Sequence, residues 1–156
     1  MTAPAPDRPT VGVLAVVRRG GRVLIVKRSQ PASGGRWGFP GGHLERGETI
    51  VEGAMRELTE ETGVRAEPVE TLPPLQFIRR DDRGAVQFHY VLIPVIADWR
   101  AGDGAAADDA AALRWVGLDE IAARVLPMFD DVEQVARIAL SPPGDGDQPR
   151  PKRGGP

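Results

Sequence analysis

The stretch that decides the fold reads Gly42-His43-Leu44-Glu45-Arg46-Gly47-Glu48-Thr49-Ile50-Val51-Glu52-Gly53-Ala54-Met55-Arg56-Glu57-Leu58-Thr59-Glu60-Glu61-Thr62-Gly63-Val64. Its second half predicts an amphipathic helix over residues 49–62. Thr49 and Glu52 make a capping box, in which the hydroxyl caps the first turn and the carboxylate reaches back. Gly63 stands where a helix ends in the left-handed conformation. Val51, Ala54, Met55 and Leu58 recur at i, i+3, i+4, i+7 and form one apolar stripe that should face the core. Glu57, Glu60 and Glu61 share a second face, roughly 120° from that stripe. Three carboxylates so close repel, so a positive charge is expected to offset them. Hard oxygen donors of this kind suit Mg²⁺ or Mn²⁺. An acidic helix face is nevertheless more often simply solvated, and the glutamates alone do not decide. Gly53, one turn before Glu57, costs about 1 kcal/mol against Ala in a helix. Its missing side chain would let a ligand or a loop come close.

Outward from the helix, residues 10–17 and 22–28 are rich in β-branched side chains. They flank Arg18-Arg19-Gly20-Gly21, a good hairpin turn. Residues 29–47 read as a glycine-rich loop. Strands are expected over 75–80 and 85–97 around Asp81-Asp82-Arg83-Gly84, and over 113–116. Residues 99–109 read as a Gly/Ala/Asp loop, and 118–125 and 130–140 as helices. Strands and helices mix without a regular βαβ repeat, which favours an α/β (α+β) layered domain on a mixed sheet. One domain is expected over residues 10–140. The tails 1–9 and 141–156 are rich in Pro, Gly and charge, and are expected to lack order.

Composition narrows the function classes. The chain has 156 residues with a formal net charge of −2, 41% hydrophobic and 27% charged. That is ample for one core, and the charge balance does not favour a broad nucleic-acid surface. There are no cysteines, so disulfides, thiolate metal sites and a Cys nucleophile are excluded. No apolar run approaches a membrane span, and the N-terminal residues do not read as a signal peptide. A cytoplasmic location is the expectation.

The spacing from Gly42 to Val64 resembles the Nudix box: Gly, five residues, Glu, seven residues, Arg-Glu, an aliphatic, any residue, Glu-Glu, any residue, Gly, aliphatic. Gly42, Glu48, Arg56, Glu57, Leu58, Glu60, Glu61, Gly63 and Val64 fill its defined positions. The lead-in Trp37-Gly38-Phe39-Pro40-Gly41 resembles that of the family as well. The resemblance implies an α/β/α sandwich around a mixed β-sheet, with the box as loop–helix–loop. It implies that Glu57, Glu60, Glu61 and the carbonyl of Gly41 ligate Mg²⁺ (or Mn²⁺), and that Arg56 and Glu48 orient the acidic cluster. The implied reaction is hydrolysis of a diphosphate linkage, with metal-activated water attacking in line. The general base is left between a box glutamate and a residue of the later loop, where Asp108 and Asp109 directly precede a strand. Asp in such a loop is ordinarily turn chemistry.

Other candidates are substrate-facing. Lys27 and Arg28 end a strand and Arg36 follows in the loop; each is placed to touch phosphate or merely to keep the surface soluble. Phe39 and Trp37 either stack on a base or pack beneath the helix. His43 is expected to be exposed. One of His89 and Tyr90 could line a pocket, and Trp115 reads as core. The chain most resembles compact bacterial Nudix proteins of the ADP-ribose pyrophosphatase type, which implies ADP-ribose or another nucleotide sugar as substrate. It departs from several of them in carrying Arg79 where they have a proline, Pro73-Pro74 coming too early. The alternatives are a (deoxy)nucleoside triphosphate pyrophosphohydrolase and, of another class, a non-catalytic nucleotide-binding module. The partner expected is a nucleoside diphosphate small molecule, with neither nucleic acid nor membrane. The long strand near residues 85–97 could serve a homodimer.

Overall fold

The computed structural model describes residues 7–30 and 33–141. Most of both expected tails, residues 1–6 and 142–156, lies outside the described residues. The sheet is built on β1 (Thr10–Arg19) and β7 (Val86–Ala101), which run parallel with Thr10 opposite Tyr90 and Arg18 opposite Asp98. β5 (Arg65–Thr71) and β6 (Leu75–Arg80) both pair antiparallel with β7. On the other side, β2 (Arg22–Arg28) pairs antiparallel with β8 (Ala110–Gly117).

β1 and β2 meet only at their turn, where Arg18 faces Val23 and Arg19 faces Arg22. Gly20 and Gly21 both take positive φ there, 54° and 76°, the geometry of a tight hairpin that suits strand twist. Beyond that point the strands splay. Their freed backbone groups need partners, and the segment from Trp37 to His43 supplies them. β3 (Trp37–Gly38) pairs with β2, and β4 (Gly41–His43) pairs with β1. Ala15 donates to the Pro40 carbonyl between them, at 2.8 Å. The glycine-rich loop expected over residues 29–47 is thus partly a wedge inside the sheet.

The β1 side chains alternate between two helical layers, as the pleat requires. Val13, Ala15 and Val17 join Leu24, Ala54, Leu58 and Val95 beneath α1 (Ile50–Thr62). Leu14 and Val16 join Ile25, Phe39, Ile96, Val132 and Val135 on the opposite face, beneath α2 (Leu118–Ala122) and α3 (Asp131–Leu140). The result is the expected three-layer α/β/α sandwich around a mixed sheet.

Three boundaries differ from the sequence expectation. β5 was not expected; its exposed Arg65, Glu67, Pro68, Val69, Glu70 and Thr71 suit an edge strand, which needs no continuous apolar run. β7 and β8 extend into the flanking loop, which shrinks to residues 102–109. The helix expected to reach residue 125 stops at Ala122, because Arg124 turns left-handed at φ 52°. Among the described residues, no helix is long and apolar enough to cross a membrane.

Candidate active site

α1 begins as its sequence predicts. The Thr49 side chain accepts from the Glu52 backbone, Glu52 reaches back to the Thr49 backbone, and Gly63 caps the end at φ 70°. Gly53 is buried because a loop leans on it: a side chain there would meet Glu48 Oε1 and Leu44 Cδ1, each at 2.9 Å. The close approach allowed by that glycine is therefore made by the Leu44–Glu48 loop.

Arg56 is the hub of the acidic face. Its Nε and Nη2 grip Glu48 in a two-point pair at 3.0 and 2.7 Å. Nη1 donates to Glu57 at 2.9 Å and to Glu60 at 3.3 Å, and Nη2 also donates to the His43 carbonyl at 3.0 Å. The guanidinium is held charged, its pKa raised above the usual value chiefly by Glu48. Glu48 is held down to about 2 by the hydrogen bond from Arg56, assisted by the Glu45 backbone. One cation thus draws the loop, Glu57 and Glu60 together, and Glu48 anchors that cation.

Arg28 organises a second, deeper group. Its Nη1 donates to the Gly41 carbonyl at 3.2 Å and to Glu61 Oε1 at 3.1 Å, and Nη2 donates to the Phe39 carbonyl at 2.9 Å. The other Glu61 oxygen accepts from the Gly41 N–H at 3.4 Å. Glu61 is only 2% exposed. Burial pushes its carboxyl up to about 7, with Arg28 opposing and Glu57 reinforcing. Glu61 is therefore not part of a simply solvated acidic face. Glu61 sits only about 60° from Leu58 on the helical wheel, so once the wedge covers that flank the carboxylate is enclosed. Glu60, turned further round, keeps a side chain 47% exposed.

The glycines are where this packing demands them. A side chain on Gly42 would collide with the Glu57 carboxylate, and one on Gly41 with the Val13 carbonyl and Leu14. The last turn of α1 leaves carbonyls without helical partners. The 102–109 loop supplies donors: Ala105 N–H to the Thr62 carbonyl and Ala107 N–H to the Glu61 carbonyl, both at 2.9 Å. Trp99 and Trp115 fasten the same loop through their indole N–H groups, at 2.7 Å to the Gly102 carbonyl and 3.0 Å to that of Asp103. Asp108 and Asp109 are therefore carried beside the end of α1. Both are exposed, and Asp108 is left-handed at φ 51°, an uncommon conformation for a residue with a side chain.

The remaining candidates are distributed differently. Lys27 and Arg36 are exposed on the neighbouring rim, and Arg36 lies 5.7 Å from the centre of the Phe129 ring. Phe39 is 2% exposed and Trp37 7%; both are packed in the α2/α3 core, so their side chains face away from solvent. Arg28, placed in the sequence among phosphate contacts, is turned inward onto Glu61 and two carbonyls. His43 is exposed, and His89, Tyr90 and Trp115 are half-buried. Asp131 was not singled out by sequence. The Trp37 N–H donates to the Pro127 carbonyl at 2.8 Å and the Phe129 N–H to the Trp37 carbonyl at 3.0 Å, which brings the start of α3 alongside the wedge. Asp131 is half-buried there, its carboxyl raised by burial and opposed in part by the charge of Arg28. A partner on a distant helix leaves no signal in local spacing.

The donors available are carboxylates and one backbone carbonyl, a hard oxygen set that fits Mg²⁺ or Mn²⁺. Among the described residues, no group of three acidic or histidine side chains is arranged to hold a metal ion as it stands. Arg56 gathers Glu48, Glu57 and Glu60, and Arg28 holds Glu61.

Residues 6–137 match the model of the NUDIX domain. The chain belongs to the Nudix family and is a hydrolase of phosphate anhydrides. Phosphatase NudJ of Escherichia coli K12 is 35% identical over 115 residues, spanning 73% of this chain and 72% of that protein. Among solved structures, the mutator MutT protein from Bacillus halodurans superposes with a TM-score of 0.69 at 26% identity, over 84% of this chain and 82% of that one. A bifunctional NMN adenylyltransferase/ADP ribose pyrophosphatase from Francisella tularensis, complexed with AMP and a Mn ion, gives 0.67 at 27% identity, over 85% of this chain and 41% of that one. The family acts on small nucleotide substrates and uses divalent metals.

Proposed function

We propose that the chain hydrolyses the diphosphate linkage of a nucleoside diphosphate derivative, ADP-ribose or another nucleotide sugar, releasing a nucleoside monophosphate and a sugar phosphate. The observation that carries this reading is the packing of Glu57 and Glu61 against the Gly41-Gly42 backbone of β4. In it, Glu57, Glu60, Glu61 and the Gly41 carbonyl hold one or more Mg²⁺ ions, with Mn²⁺ able to substitute. When bound, the cation neutralises diphosphate oxygens and lowers the pKa of a coordinated water. Arg56 and Glu48 fix the directions of Glu57 and Glu60, so that little reorganisation is left for the reaction itself. Asp108 or Asp109, carried on the loop fastened to the end of α1, takes the proton of the attacking water. Lys27 and Arg36 on the rim meet the anionic substrate, as Lys and Arg commonly do.

A second reading, hydrolysis of nucleoside triphosphates, is favoured by the 35% identity to a protein named a phosphatase and by the likeness to a MutT protein. Product analysis separates the two. The purified protein is incubated with Mg²⁺ and ADP-ribose, other nucleotide sugars, dinucleotides and nucleoside triphosphates. AMP with ribose 5-phosphate from ADP-ribose is the expected outcome. Phosphate or pyrophosphate released from triphosphates, with ADP-ribose untouched, would replace it by the second reading.

A further inference from the structure

Arg28 bonds the two oxygens that the proposed function assigns to the metal from this flank of the site. A single nitrogen, Nη1, lies 3.2 Å from the Gly41 carbonyl and 3.1 Å from Glu61 Oε1. Nη2 is tied to the Phe39 carbonyl at 2.9 Å. The guanidinium therefore offsets a carboxylate that is 2% exposed and has little water to do so. A divalent ion bound to the same two oxygens would bring two positive charges to within a few ångströms of a third, where there is little water to screen them. Each oxygen has a second lone pair, but charge repulsion opposes the guanidinium and the ion sharing them.

We propose that Arg28 is a built-in competitor of the metal: it holds Glu61 and Gly41 until a divalent ion displaces it, and then turns to an anionic oxygen of the substrate. This rests on the reading of Glu61 and Gly41 as metal ligands. Its consequence is coupling. The protein alone binds the metal weakly, because binding must break the Arg28 pairs. A diphosphate gives the released guanidinium a new partner, so metal and nucleotide are taken up together. Asp131, at the start of α3, lies within the field of Arg28 as it stands. A purely structural Arg28, one that props Gly41 and Glu61 in place for the metal, makes the opposite prediction for metal affinity.

The test is Mn²⁺ binding, by titration calorimetry or by the spin-resonance signal of free Mn²⁺, to chelator-stripped protein without nucleotide. Wild type, Arg28→Met, Arg28→Lys and Glu61→Gln are compared after their folding is checked by circular dichroism. Arg28→Met is expected to bind Mn²⁺ at least several-fold tighter than wild type, while its KM for the nucleotide rises. If the Met variant does not fold, Arg28→Lys carries the test; its single ammonium holds fewer of the three acceptors, and a smaller tightening is expected. Unchanged or weaker Mn²⁺ binding in a folded Arg28 variant overturns the proposal. The reading it rests on fails separately, through a Glu61→Gln protein that binds Mn²⁺ as wild type does.

Discussion

Glu61 is the residue at which stability and chemistry are most directly opposed. It is buried beside Glu57, with its carboxyl pushed up to about 7 from 4.5, first by loss of water and partly despite Arg28. An acid with a raised folded pKa binds more protons folded than unfolded. Its contribution to stability is fully present below about 4.5 and is lost as the pH rises through about 7. Glu48 works in the other direction: with its pKa lowered to about 2, its contribution is present above 4.5 and lost as the pH falls towards 2. The interval from about pH 5.5 to about pH 8 therefore isolates Glu61 from Glu48. In the presence of chelator, the wild-type melting temperature should fall across that interval, and Glu61→Gln should flatten the slope. An equal slope in the variant would mean that the buried carboxyl is not the source. The sequence placed Glu57, Glu60 and Glu61 on one face but could not show that one of them is enclosed, because the enclosing wall comes from the β3–β4 segment.

At the scale of elements, legibility followed locality. α1 was readable from cap to cap because every signal lies within its own residues: Thr49, Glu52, the Val51/Ala54/Leu58 stripe and Gly63. The capping contribution is separable from the site. Thr49→Ala should cost about 1 kcal/mol in urea unfolding, with turnover unchanged within a fewfold. A large loss of turnover would mean that the helix start also sets the position of Glu57. The wedge was not readable in the same way. β3 and β4 consist of Trp37, Gly38, Gly41, Gly42 and His43, and only the splaying of β1 from β2 makes strands of them. β5 hid for a related reason, since an edge strand carrying Glu67, Pro68 and Glu70 reads as loop. Arg28 lies at the end of a strand that was expected, yet its inward turn depends on carbonyls at Phe39 and Gly41 that only the wedge brings near.

At the scale of the molecule, two halves of the sheet are joined by a short hairpin, and the site sits where they part. The wedge delivers Gly41, α1 delivers the three glutamates, β2 delivers Arg28, and the 102–109 loop closes the end of α1 through the Thr62 and Glu61 carbonyls. No one element carries the site, so the account stands on the assembled centre acting through a divalent ion. Glu60 gives the cleanest handle on that claim. Its side chain is 47% exposed, and removing its charge relieves repulsion from Glu57 and Glu61 without opening the core. The measurement is Mg²⁺-dependent turnover of ADP-ribose, or of whichever anhydride the product panel identifies, by wild type and Glu60→Gln, each with and without chelator. The account predicts that turnover drops by orders of magnitude in the variant and vanishes with chelator, while circular dichroism and melting stay as in wild type. Wild-type turnover by a folded Glu60→Gln protein, or turnover that survives the chelator, would contradict it.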